Sequence, residues 1–174
     1  STIDFTNTNF KEVENAKSMF ENAKISSLNL KHVKFDKVKD FSNFFKNTTA
    51  LTEANLSSIK FTSAEDLSSM FAYSRVENLT LNPQDMDGTH ITNMASMFEE
   101  CYIKEVGLGR IHTGELTDVK SMFKGAGYIE KITLPQVFNT SKVTDFSYMF
   151  AELPRLTEIN NIDKLDTTSA LDMN

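Results

Sequence analysis

Cysteine occurs once in 174 residues, at Cys101, so no disulfide can form within the chain and compartment cannot be read from cysteine pairing. A basic excess is missing as well: 18 Lys and Arg stand against 24 Asp and Glu, a net charge of −6. That balance argues against general binding to nucleic acid or to anionic lipid, both of which need a basic face. No stretch approaches the roughly 18 consecutive apolar residues of a membrane span, and no direct membrane insertion is expected. The chain opens at Ser1 without a charged-then-apolar leader, which places any signal or anchor outside these residues. Nucleophile elbows, phosphate loops and dinucleotide fingerprints are lacking too, so the sequence calls for no cofactor and no catalytic residue.

What is present is repetition. A Met-Phe or Phe-Phe pair returns six times, at 19–20, 44–45, 70–71, 97–98, 122–123 and 149–150, in steps of 25, 26, 27, 25 and 27 residues. Six residues before each pair stands Val13, Val38, Ala64, Ile91, Leu116 or Val143, and three before it Ala16, Phe41, Leu67, Met94, Val119 or Phe146. Apolar residues thus fall at i, i+3, i+6, i+7 and i+10, the spacing of one helix face, and the helix would be about two turns long. Pairs spaced by two follow: Leu28/Leu30, Ala54/Leu56, Leu79/Leu81, Val106/Leu108 and Ile132/Leu134, with Ile159 in the sixth place. Period two marks a short strand with one buried face. A loop anchor such as Phe35, Phe61, Met86, Ile111, Phe138 or Leu165 closes each unit.

One unit cannot stand alone. About seven buried side chains give roughly 10–20 kcal/mol, whereas ordering about 26 residues costs more, at roughly 1–2 kcal/mol each. Stacking must supply the difference. The expected fold is α/β: a right-handed leucine-rich-repeat-like solenoid, with a parallel β-sheet of about six to seven short strands on one face and short helices on the other. Residues 1–174 read as a single repeat domain of 25–27-residue units. Ile3, Phe5 and Phe10 match the strand and anchor positions, and residues 166–173 match 139–146. Both ends therefore read as cut from a longer array, or as covered by self-association.

The segment 139–150, Asn-Thr-Ser-Lys-Val-Thr-Asp-Phe-Ser-Tyr-Met-Phe, resembles the repeat of BspA-type leucine-rich surface proteins. So does 91–101, Ile-Thr-Asn-Met-Ala-Ser-Met-Phe-Glu-Glu-Cys. The variety is the Val-Thr-Asx-Met-Ser-x-Met-Phe repeat of mycoplasma lipoproteins. The resemblance covers the whole chain, although the first three repeats lack the Val-Thr-Asx start. It implies an extracellular, surface-anchored protein acting in adhesion or host interaction, with a host or matrix protein as partner and a glycan as second candidate.

Chemistry-bearing residues read mostly as structure. Asn15, Asp40, Asp66, Asn93, Asp118, Asp145 and Asp172 recur at one position, and the expectation is helix N-caps, not a cation ladder. Asp85-Met-Asp87-Gly88 resembles a calcium loop, but Ser96 stands where the closing Glu belongs, which favours a surface turn. His32, His90 and His112 occupy different repeat positions and read as exposed loop residues. Cys101 fills a small-residue slot on the buried face, and Gly125 and Gly127 read as a helix stop. The candidate binding surface is the outward side of the strands. One column holds Asn29, Asn55, Thr80, Gly107, Thr133 and Asn160, and the other Ser27, Glu53, Asn78, Glu105, Lys131 and Glu158, with Lys131 between Glu105 and Glu158. A spacer or antigenic stalk is the competing expectation.

Overall fold

The computed structural model describes residues 1–81 and 89–174. It is a parallel β-solenoid of about six turns. Seven three-residue strands mark successive coils: β1 (Thr2–Asp4), β2 (Ser27–Asn29), β3 (Glu53–Asn55), β4 (Asn78–Thr80), β5 (Glu105–Gly107), β6 (Lys131–Thr133) and β7 (Glu158–Asn160). Pairing is parallel and in register, with Ile3 opposite Leu28, Ala54 opposite Leu79, Val106 opposite Ile132 and Ile132 opposite Ile159. Each central residue points inward and its two neighbours outward, as period two requires.

The expected helices are absent: among the described residues the only helical element is one 3-10 turn, Ile162–Lys164. Where an α-helix was expected, the chain makes consecutive tight turns. Met19 N–H donates to the Ala16 carbonyl, Glu21 N–H to Ser18 and Ala23 N–H to Phe20, each three residues back, not four. The N–H groups in between cross to the next coil: Ala16 donates to Asp40, Ser18 to Ser42, Phe20 to Phe44 and Asn22 to Lys46. The same alternation recurs down the molecule. Most turn-side backbone N–H groups therefore find a backbone partner without a helix. Turns of three place side chains inward at nearly the helical spacing, which is why the pattern read as a helix.

This geometry needs left-handed backbone at fixed places. Ser18, Asn43, Ser69, Ser96, Ser121 and Tyr148 hold one such position, and Asn22, Asn47, Tyr73, Glu100, Gly125 and Glu152 the next, all with positive φ. A non-glycine residue there costs roughly 1–2 kcal/mol, offset by the coil-to-coil hydrogen bonds. Gly125 belongs to this series at φ 67 and is no helix stop.

The recurrent Met-Phe pairs build the core. Phe20, Phe45, Phe71, Phe98, Phe123 and Phe150 stack face to face from coil to coil, with centroids 5.5–5.8 Å apart. The loop anchors Phe10 and Phe35 make a parallel contact at 5.0 Å. One continuous apolar cluster runs from Ala16 to Met149.

Candidate functional site

The seven recurring Asx residues are not helix N-caps. Each carboxylate or amide oxygen accepts the backbone N–H two residues on: Asn15 from Lys17, Asp40 from Ser42, Asp66 from Ser68, Asn93 from Ala95, Asp118 from Lys120, Asp145 from Ser147 and Asp172 from Asn174. These are Asx turns, which use the same local affinity for backbone N–H that makes these residues good caps. Their backbones also pair in parallel, Asn15 with Asp40, Asp40 with Asp66, Asp66 with Asn93 and Asn93 with Asp118. Hydrogen bonds from the Ser147 hydroxyl, the Lys120 ammonium and the Ser147 N–H pull the Asp145 carboxyl down to about 2. The series is a structural spine.

The outward strand columns fall where the period placed them, in register across each pair. Ser27, Glu53, Asn78, Glu105 and Glu158 are exposed, Lys131 half-buried; Asn55, Thr80 and Gly107 are exposed, and Asn29, Thr133 and Asn160 half-buried. Several are already engaged. Asn29 accepts the Lys31 N–H and donates to the Thr6 hydroxyl at 2.8 Å, Asn55 accepts both the Ser57 N–H and hydroxyl, and Asn160 donates to Thr133 at 3.4 Å. Lys131 lies 3.1 Å from Glu158, and that hydrogen bond leads the lowering of the Glu158 pKa. Glu105 is left outside the pair.

The strand face is not one sheet. β1 pairs with β2, β3 with β4, and β5 with β6 and β7, leaving the β2–β3 and β4–β5 junctions unpaired. Each open junction precedes a strand with a weak sheet former, Ala54 in β3 and Gly107 in β5. Clefts lie at both. One of about 400 Å³ is bordered by Asn29, Lys31, His32, Asn55 and Ser58, and another of about 290 Å³ by Ser27, Thr52, Glu53 and Asn55. A third, of about 380 Å³, lies between Asn78, Thr80, Lys104 and Glu105. The β2–β3 and β4–β5 openings thus bring together Asn29, Glu53 and Asn55, and Thr80 with Glu105. Lys131, Thr133, Glu158 and Asn160 sit apart on the closed β5–β7 sheet. A more apolar cleft lies elsewhere, between Tyr148, Phe150, Leu165 and Met173 at the last coils.

Cys101 is 2% exposed and burial pushes its thiol up to about 12, so it is a protonated, packed side chain at neutral pH. His32, His90 and His112 are all exposed. Among the described residues no three of His, Cys, Asp or Glu converge as metal ligands. The Asp85–Gly88 segment and Met86 lie outside the described residues.

One arrangement escaped the sequence reading. Arg75, Tyr102, Tyr128 and Arg155 occupy one position in four successive coils. The tyrosine rings stack at 4.7 Å, the Arg75 guanidinium lies 5.8 Å from Tyr102, and that of Arg155 4.8 Å from Tyr128. Counting from the Met of each pair gives an offset of five for Arg75 and Tyr102 but six for Tyr128 and Arg155. The extra residue, Gly127 in one coil and Pro154 in the other, hid the column.

A parallel β-solenoid of stacked tight turns with a polar, partly open strand face is therefore the class of molecule. The chain belongs to the family described as "Mycoplasma protein of unknown function, DUF285", whose model matches residues 2–105 and again 73–174. No curated protein and no solved structure matches. The α/β leucine-rich-repeat-like architecture expected from the repeat spacing does not hold, because among the described residues the turn side carries no α-helix.

Proposed function

We propose that the chain is a non-catalytic interaction module of a bacterial surface protein and binds a host or matrix protein through the strand face. The carrying observation is the pair of unpaired junctions. They open clefts of about 400 and 380 Å³ between strands that are otherwise paired and line them with hydrogen-bonding side chains, Asn29 and Asn55 at one, Asn78 and Thr80 at the other. Solenoids commonly use such extended faces for partners. The BspA-type resemblance of 91–101 and 139–150 supports an extracellular setting and an adhesive role.

The test is binding of the immobilised protein to a panel of matrix proteins, plasma proteins and glycans, repeated with Asn55, Thr80 and Thr133 all changed to Lys. Saturable binding that the triple variant loses while staying folded supports the reading. Binding that the variant keeps removes the strand face as the site.

A spacer role is the second reading. It is favoured by the self-contained hydrogen bonds of Asn29 and Asn160 and by the Lys131–Glu158 pair, which tie up much of the polar surface internally. A blank panel with folded protein supports that alternative.

A further inference from the structure

The column Arg75–Tyr102–Tyr128–Arg155 lies at the corner where the turn side meets the strands, away from the clefts just described. All four side chains are exposed, each tyrosine by 39%. Neither arginine belongs to an ion pair among the described residues, so both guanidinium groups are open to a carboxylate. In a chain of net charge −6, the column thus carries one such guanidinium at each end. The acidic side chain two residues beyond Arg75, Glu77, is already 3.9 Å from Lys104. Glu130, two residues beyond Tyr128, has no ion pair among the described residues.

The ring geometry restricts what can bind. Tyr102 and Tyr128 cover one face of each other, and an arginine covers the remaining face of each. A sugar ring therefore has no free aromatic face to stack on. What the column offers outward is ring edges, two phenol hydroxyls and, at its two ends, guanidinium N–H groups. Contact with the rings also favours this position for each arginine, which lowers the ordering cost of binding. Tyr and Arg are the residues that most often anchor protein interfaces.

Spacing gives the rest. Arg75 and Arg155 are three coils apart, about 14 Å at about 4.8 Å per step. Along an extended peptide, side chains four residues apart point the same way and stand about 14 Å apart at about 3.4 Å per residue. We propose that this column docks an extended acidic segment of a partner protein, laid along the solenoid axis. Carboxylates four residues apart meet Arg75 and Arg155, and the Tyr102 and Tyr128 hydroxyls donate to the stretch between them. The site is independent of the strand-face reading.

The test uses a fluorescent nonapeptide of Ser and Thr carrying two Glu four positions apart, an isomer with the two Glu adjacent, and heparin, all at low salt, where such contacts are strongest. Anisotropy is the readout. The spaced peptide is expected to bind at least about threefold tighter than its isomer. R75Q/R155Q is expected to weaken it at least about tenfold, with melting temperature held near that of the parent. Arg110→Gln, at another exposed arginine, and the strand-face triple variant should leave it unchanged, and Glu130→Gln should strengthen it. Equal binding of the two peptides, retention by the double arginine variant, or binding of heparin without the peptide would each overturn the proposal.

Discussion

The two sides of the solenoid are built from the same repeats but hold together differently. On the turn side, coil-to-coil backbone hydrogen bonds cross every junction, from Ala16→Asp40 through Phe41→Asp66, Leu67→Asn93 and Met94→Asp118 to Phe146→Asp172, with Ser121→Ser147 crossing where Asp118 and Asp145 are not bridged. On the strand side, three-residue pairings stop at two of the junctions. The turn side also holds the phenylalanine stack and the Asx turns, whereas the strand side holds small or half-buried centres such as Ala54, Leu28 and Leu79. Cohesion and exposure are thus assigned to opposite sides. A spine that does not depend on the strand face leaves that face free to vary and to open.

Substitution in the stack should break the comparison most strongly. Phe71 is 1% exposed and sandwiched between Phe45 and Phe98 at 5.5 Å. Phe71→Ala should cost about 3–5 kcal/mol in denaturant unfolding, whereas Leu28→Ala, half-buried beside the open junction, should cost about 1–2 kcal/mol. Next comes the Asx spine. Asp66→Ala leaves the Ser68 N–H without its 2.7 Å acceptor and should cost about 1–2 kcal/mol. Thr80→Ala on the strand face should fall within about 0.5 kcal/mol.

Two glycines sharpen the contrast further. A Cβ on Gly125 would stand at φ 67 and 2.8 Å from the Glu100 Cγ, while one on Gly107 meets nothing within 4 Å. Gly125→Ala should lose about 1–2 kcal/mol, chiefly from left-handed backbone, and Gly107→Ala about 0.5 kcal/mol or less in either direction. The smallest effect concerns acid. The Asp145 carboxyl is held at about 2, below its ordinary 3.8, so its contribution is present above pH 3.8 and is lost as pH falls toward 2. Asp145→Asn should flatten the acid limb of a melting-temperature profile over that window and leave it unchanged near neutrality.

The strands and their columns were legible in the sequence because period two has one structural meaning here. Val106 and Leu108 could face inward together only if Glu105 and Gly107 faced out. The turn side was not legible in the same way. Residues such as Ala16, Met19 and Phe20 satisfy a helix and a train of three-residue turns equally well. The distinguishing signal was the run of Ser, Asn and Gly at the left-handed positions, Ser18, Asn43, Ser69, Ser96 and Gly125 among them, which a helix interior does not require. The Asx series identified the correct atoms, a side-chain oxygen and a nearby backbone N–H, in the wrong element. The open junctions depend on small differences between neighbouring strands, and the Arg–Tyr column on a one-residue shift, neither of which periodicity reports.

Hydrogen exchange at single amides tests the two-sided construction most directly. The Phe45, Phe71 and Phe98 N–H groups, each bonded to the next coil at 2.8–2.9 Å, should exchange slowly, as should Leu56 N–H, which reaches the Thr80 carbonyl at 2.8 Å. Leu30 N–H, the equivalent group at the unpaired β2–β3 junction, should exchange much faster than Leu56. Equal protection of Leu30 and Leu56 would mean a continuous strand face and would contradict the account.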